Sequence, residues 1–454
     1  MSSYSANSVA AISNLQRDTP KEQLQPNALI NIFVPAFILF MMFLSPLVLN
    51  KNVYYAFEIL IAFIVLSQSY RTLSIRAAGL ILAMITSFAV YTQLNTVYHI
   101  NKVLVLNMAT VAMFIGVFVL NYILVKAYLM RNSLSRNVNL LKFVGILFNI
   151  ISIYCIFEYL IKFNPVFSQF FNTDYHRYYS IKRGYELYRV SGPMQHPIVM
   201  GNFLIIGALL NYYLFNQLRK NLYALFMLVN VTALFLTFSR SSYIALGAGI
   251  LTYLLFTARN KDNKEKLKIP MPRAIAIIFA IPIILLIMMS VNTGDSSLWS
   301  TIINRFSNAE GTASVEQRSG GIQYVLGLML HSNLLNLLIG HGYGMISWNM
   351  RQDGTSIVLN NFYIIDNQYF TFFYEFGIAG MIILFAGIVH IIRRSFKNLS
   401  TGNANIIKFT AASFVAIMVN IIFYEGAYWT SIAFLLSFIL ALNTYAISKE
   451  AAVK

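Results

Sequence analysis

Apolar runs long enough, or nearly so, to cross a bilayer core of roughly 30 Å recur along this chain. They fall near residues 29–49, 53–69, 75–92, 103–125, 139–161, 195–215, 221–238, 241–257, 272–290, 367–391, 405–424 and 428–447. The runs are continuous, whereas strands of a membrane barrel would alternate, so the pattern predicts helices. The expected fold is an all-α polytopic membrane protein with about 12 transmembrane helices. Residues 1–27 are polar and read as a cytosolic tail, and 448–454 as a second. No cleavable signal peptide is evident, because the first apolar run is too long and lacks a small-residue cleavage site. Between the tails the expected order is helices 1–5 over 28–161, an outer loop over 162–194, helices 6–9 over 195–290, a large outer loop over 291–366 and helices 10–12 over 367–447. Within the larger loop, 318–338 reads as a helix lying in the membrane interface, starting at Arg318.

Composition agrees. The 454 residues are 58% hydrophobic and 11% charged, against about 25% charged in soluble domains. That excludes an ordinary cytosolic enzyme and any disordered class. The single cysteine, Cys155, lies in an apolar run and can form no intramolecular disulfide.

A net charge of +17 and a pI near 9.7 would suggest a nucleic-acid partner, until the basic residues are sorted by side. With twelve spans both termini share one side, and 22 of the 33 Lys and Arg fall there. The richer side is cytoplasmic by the positive-inside rule. The other 11 stand against that bias, and long loops in compact proteins are usually functional, so the chemistry is expected on the outer face.

The 162–194 loop holds Lys162, Arg177, Lys182, Arg183 and Arg189 against Asp174 and Glu186. An anionic ligand is one reason to keep that excess, since guanidinium grips phosphate through a two-pronged fork. Tyr175, Tyr178, Tyr179, Tyr185 and Tyr188 offer flat faces for sugar rings. An interfacial aromatic belt with snorkelling bases accounts for the same residues. Arg240, in the turn Thr237–Ser242, either binds a ligand or anchors the turn. Arg318, read as a helix start, either stands beside a bound phosphate or pairs with Glu316 or Glu310. Asp366 and Asn367 begin the tenth span, where a carboxylate is a helix cap or a general base. Glu375, deeper in that span, binds substrate or makes a structural hydrogen bond between helices. Glu58, Glu158 and Glu425 read as packing or boundary residues, and His196 before Pro197 as a helix cap close to Arg189. The histidines show no metal-site spacing, nucleotide-binding signatures are absent, and Gly340–Gly344 reads as a turn.

Taken in order, Arg189-x-x-Gly192-x-x-x-His-Pro197, Leu236-Thr-Phe-Ser-Arg240-Ser, Arg318, Leu338-Ile-Gly-His-Gly-Tyr-Gly344, Asp366-Asn-Gln-Tyr369 and Glu375-Phe-Gly-Ile-Ala-Gly380 form a series over 189–380. This series resembles the O-antigen polymerase and ligase superfamily, the Wzy and WaaL proteins. The resemblance implies a GT-C-like, metal-independent, inverting glycosyltransferase of the bacterial inner membrane, active on the periplasmic face. Its donor would be a glycan on undecaprenyl pyrophosphate, held by Arg189, Arg240 and Arg318. No cofactor is implied, and no nucleic acid. The implied partners are the lipid-linked donor and acceptor, membrane lipid and a chain-length co-polymerase.

Ligases of this superfamily carry His where this chain has Asp366, so the resemblance points to the polymerase branch. The expected activity passes a growing O-antigen, capsule or exopolysaccharide chain to the non-reducing end of a lipid-linked repeat unit. Asp366, Arg318 and Arg240 are the catalytic candidates; Arg189, Arg183, Lys182, Tyr188, His196, Asn367 and Glu375 are the substrate-binding candidates. A ligase or related oligosaccharyltransferase is the nearest alternative, and a twelve-span transporter the next.

Overall fold

The computed structural model describes residues 28–44, 118–119, 121–166, 188–259, 313–352, 363–399, 403–426 and 429–451. The runs expected at 53–69, 75–92 and 272–290, most of 103–125, and the candidates Lys182 and Arg183 lie outside the described residues. All regular structure among the described residues is helical. In chain order the helices are α1 (Ala28–Leu39), α2 (Asn121–Arg131), α3 (Leu134–Ile161), α4 (Pro197–Leu218), α5 (Asn221–Leu236), α6 (Arg240–Arg259), α7 (Ala313–Leu330), α8 (Leu334–Ile339), α9 (Met345–Gln352), α10 (Gln368–Lys397), α11 (Ala404–Asn420) and α12 (Thr430–Ala451).

Among the described residues six helices are long and apolar enough to span a membrane: α3, α4, α6, α10, α11 with its following turn to Phe423, and α12. The apolar helix α5, at 16 residues, is shorter. Local chemistry sets the ends. Ser133 caps α3, and Lys162 closes it in the left-handed region at φ 53°. Pro197 opens α4, where its missing N–H costs nothing.

Helix α4 is buried at every residue from Pro197 to Asn211. It packs against α3, α5, α6, α11 and α12, so it is the axis of the bundle. A helix apolar all round belongs in such a place. Lipid offers no hydrophobic drive for helices to associate, so packing and interhelical hydrogen bonds carry more of the specificity. Asn149, Asn211 and Asn230 supply one such junction. The amides of Asn211 and Asn230 both donate to the Asn149 carbonyl, at 2.8 and 2.9 Å, joining α3, α4 and α5. Asn443 ties α12 to Thr410 of α11 at 2.8 Å and to Ser395 of α10 at 3.0 Å.

Helices α7, α8 and α9 form a second, smaller core with the start of α10, built on Val325, Met329, Met345, Ile346, Met350, Ile365 and Tyr374. The single interfacial helix expected over 318–338 is instead two. The first starts at Ala313, five residues earlier, and stops at Leu330. Asn333 then caps α8, its carbonyl accepting from Asn336 N at 2.8 Å. Arg318 therefore sits in the second turn of α7, not at a helix start.

Gly377 breaks α10 at φ 62°. The break frees carbonyls to which the Gly340–Gly344 turn bonds. His341 N donates to Tyr374 O at 2.9 Å and Gly342 N to Glu375 O at 3.0 Å. The chains approach so closely that a Cβ on Gly340 would lie 2.3 Å from the Glu375 backbone, and one on Gly377 2.6 Å from Gly340 N. Only glycine fits either place.

Candidate functional site

Two groups of polar residues meet at the segment that follows α11. The first surrounds the hairpin between α5 and α6. Its backbone turns through Phe238 at φ 48°, and Ser239 Oγ accepts from Ser242 N at 3.4 Å, as a capping residue does. Arg240 is half-buried and is the first residue of α6. Arg189 comes in beside this hairpin, its Nε donating to Thr237 O at 3.0 Å while Val190 N donates to Leu236 O at 3.2 Å. Arg189 and Arg240 are thus attached to one short stretch of backbone.

The second group surrounds the start of α10. Arg318 Nε donates to Phe423 O at 3.0 Å. Gln317, buried beside it, donates to Ile364 O at 2.8 Å. Asp366 is half-buried and holds φ 58°, a left-handed conformation uncommon for a residue with a side chain. The cap of α10 is its neighbour: Asn367 Oδ1 accepts from Tyr369 N at 3.1 Å and Phe370 N at 3.2 Å. Glu425 lies under the turn, with Oε1 accepting from Ile365 N at 3.1 Å and Thr371 Oγ1 at 2.9 Å.

The 420–425 segment joins the two groups. Asn420 reaches Ser242 Oγ at 3.5 Å, Phe423 O holds Arg318, and Glu425 holds the Asp366 turn. Tyr424 accepts the Asn202 amide's hydrogen bond at 2.6 Å from α4 and stacks with His196 at 6.4 Å. One chain of contacts therefore connects Arg189, the Arg240 hairpin, Arg318 and Asp366. The arrangement ties three arginines and an aspartate to one connected stretch of backbone.

The remaining sequence candidates fall as follows. His196 caps α4 through Nδ1, which accepts from Ile198 N at 3.2 Å, and also packs on Trp429 at 5.6 Å. Tyr188 is buried, and its hydroxyl donates to Glu158 at 2.9 Å, so it props the turn instead of presenting an open ring. Glu375 is fully buried, and its Oε1 accepts from Gly344 N at 2.7 Å, which makes it the anchor of the glycine turn.

Burial, reinforced by the negative charge of Asp366, pushes the Glu425 carboxyl up to about 7, against the Thr371 hydroxyl and the Ile365 N–H, which draw it down. An unfolded Glu titrates near 4.3. Through the window from there to about 7 the folded state keeps a proton that the unfolded state has lost, so stability falls as pH rises. Melting of the purified protein should follow that slope between pH 5 and 7, and Glu425→Gln should flatten it. An unchanged slope in the variant would assign the proton elsewhere.

The O-antigen ligase family model matches residues 222–385. That stretch is what places the protein beside the Wzy and WaaL proteins: residues 222–385 carry an O-antigen ligase domain. No curated protein matches the chain. The matched stretch contains Arg240, Arg318, Asp366 and Glu375, while Glu158, Arg189, His196 and Glu425 lie outside it and reach the site through packing. The apolar helices and this domain together fit a membrane protein, and the domain's family suggests a ligase or glycosyltransferase-like enzyme with lipid-linked glycans as substrates.

Glu158, Thr371, Asn420, Tyr424 and Glu425 join the site without having been singled out for it in the sequence. A buried carboxylate at a helix end was the one signal available for Glu158 and Glu425, and it fits a packing role equally well. Thr371, Asn420 and Tyr424 carry no local signal at all.

Proposed function

We propose that this protein is a polysaccharide polymerase. It transfers a growing glycan from undecaprenyl pyrophosphate to the non-reducing end of a lipid-linked repeat unit. The reaction takes place at the outer face of the bacterial inner membrane, with both termini in the cytoplasm. The observation that carries this reading is the chain of contacts from Arg189 through the Arg240 hairpin to Arg318 and Asp366.

In this mechanism Arg189 and Arg240 take the donor pyrophosphate at the N-terminus of α6, where the helix dipole favours anions. Arg318 neutralises charge building on the departing pyrophosphate, so the guanidinium groups meet a demand that another enzyme would meet with a metal. Asp366 accepts the proton of the attacking sugar hydroxyl. Attack opposite the leaving pyrophosphate inverts the anomeric carbon. Chain length would be set with a separate co-polymerase.

The family description favours a second reading, a ligase that passes finished glycan to a lipid acceptor. Gel analysis of surface glycan in a clean deletion strain separates the two. A polymerase deletion leaves single repeat units on the acceptor, and a ligase deletion leaves none. An unchanged ladder with precursor retained in the cytosol would reject both in favour of transport.

A further inference from the structure

The turn that carries Arg189 is gripped from below by a carboxylate with no part in the chemistry proposed above. Glu158, near the end of α3, is fully buried. Its Oε1 accepts from the Tyr188 hydroxyl at 2.9 Å and from Ser191 N at 3.0 Å, and its Oε2 from Gly192 N at 2.9 Å. Just past α3, the Asn164 amide donates to Gly192 O at 2.9 Å. Both backbone polar groups of Gly192 are therefore committed to the α3 end. Gly192 sits at φ 51°, and a Cβ there would lie 2.9 Å from Met200 Sδ and 3.1 Å from Cys155 Sγ, so the turn is also seated tightly against its neighbours. On its far side Arg189 and Val190 bond to the α5–α6 hairpin.

We propose that Glu158 is a positioning residue for the anion site. Its carboxylate locks the Tyr188–Gly192 turn so that the Arg189 guanidinium stands beside the Arg240 hairpin and meets the pyrophosphate of a polyprenyl-linked substrate. This rests on the reading of Arg189 as a pyrophosphate ligand. The chemistry at Glu158 asks for a carboxylate, because both oxygens face donors. A glutamine would accept at one oxygen and turn its NH2 group against the other N–H. An N–H left buried without an acceptor makes the turn pull away from α3.

The test measures binding of sugar-free undecaprenyl pyrophosphate to the full-length protein in lipid nanodiscs, with melting followed in parallel. Glu158→Gln is expected to weaken binding roughly tenfold, the scale of one lost hydrogen bond to a charged group, with melting lowered but a cooperative transition retained. Arg189→Ala is expected to weaken it at least as much. The double variant should bind no more weakly than Arg189→Ala alone, because Glu158 acts through Arg189. Tyr188→Phe removes one of the donors to Glu158 and leaves the Ser191 and Gly192 N–H bonds in place, so a partial loss is expected even where Glu158→Gln does not fold. Full affinity in Tyr188→Phe, or a further loss in the double variant, overturns the proposal. Normal affinity in Glu158→Gln with weakened Arg189→Ala overturns the positioning role alone. Normal affinity in Arg189→Ala overturns the pyrophosphate reading beneath it.

Discussion

Asp366→Asn is expected to lower glycan transfer by about 10²–10⁴-fold, the range a general base contributes, in a protein that still folds. The substitution suits the place. Asn is among the residues most at home in the left-handed region that position 366 occupies, at φ 58°. The cap of α10 is Asn367, so the helix start is untouched. What the variant loses is the charge and the capacity to take a proton. A second consequence follows from the neighbouring carboxyl. Asp366 helps to hold Glu425 up, so Glu425 should titrate lower in the variant. The slope of stability between pH 5 and 7 should shrink with it. The measurement is the surface-polysaccharide ladder of a deletion strain carrying the variant, with protein level checked in the membrane. A ladder of normal length at normal protein level would sink the role of Asp366 as base.

Arg318→Lys should cost about 10²–10³-fold in turnover, as removal of one donor aimed at developing charge does in other enzymes. The positive charge survives this change. The Nε–H bond to Phe423 O at 3.0 Å does not, because lysine has no counterpart to that group. The contact of the guanidinium with the Phe423 ring, 5.9 Å from its centroid, goes too. In the parent, the backbone bond to Phe423 O fixes one edge of the guanidinium and with it the orientation of the planar group. A lysine ammonium at the same position is a mobile point charge. Initial rates in proteoliposomes should show turnover falling while the KM for acceptor stays within about twofold, as expected when an interaction is made only in the transition state. Full activity in the lysine variant would mean that charge alone is required of position 318.

The legible parts of the site are those whose geometry is set over a few residues. His196 before Pro197 marks the start of α4, and the 367–391 run marks the start of α10, although the cap there is Asn367 and not the Asp366 carboxylate. Gly340–Gly344 reads as a turn and is one. The matched family stretch, 222–385, contains three of the residues singled out for catalysis, Arg240, Arg318 and Asp366. Helix breaks were harder to see. The stop between α7 and α8 depends on Asn333 as a cap inside a long apolar run, and the run masks it. Glu375 illustrates a different limit. A buried carboxylate in a span suits a substrate ligand and a structural anchor alike, and only its bond to Gly344 N, 31 residues away, identifies the anchor.

The sequence by itself determined that the chain is helical, that it belongs in a membrane and where several helices begin. Hydrophobic run length and capping act locally, within one or two turns, so a linear reading captures them. The tertiary structure alone decided which polar groups meet. Glu425 finds Thr371 across 54 residues, Glu158 finds Gly192 across 34, and Asn420 finds Ser242 across 178. Such pairs form because helix packing brings distant backbone and side chains within 3 Å or so of one another, and a buried donor must then be met by an acceptor. The three arginines were visible as separate cations; packing around α4 and the 420–425 segment linked them through one chain of contacts.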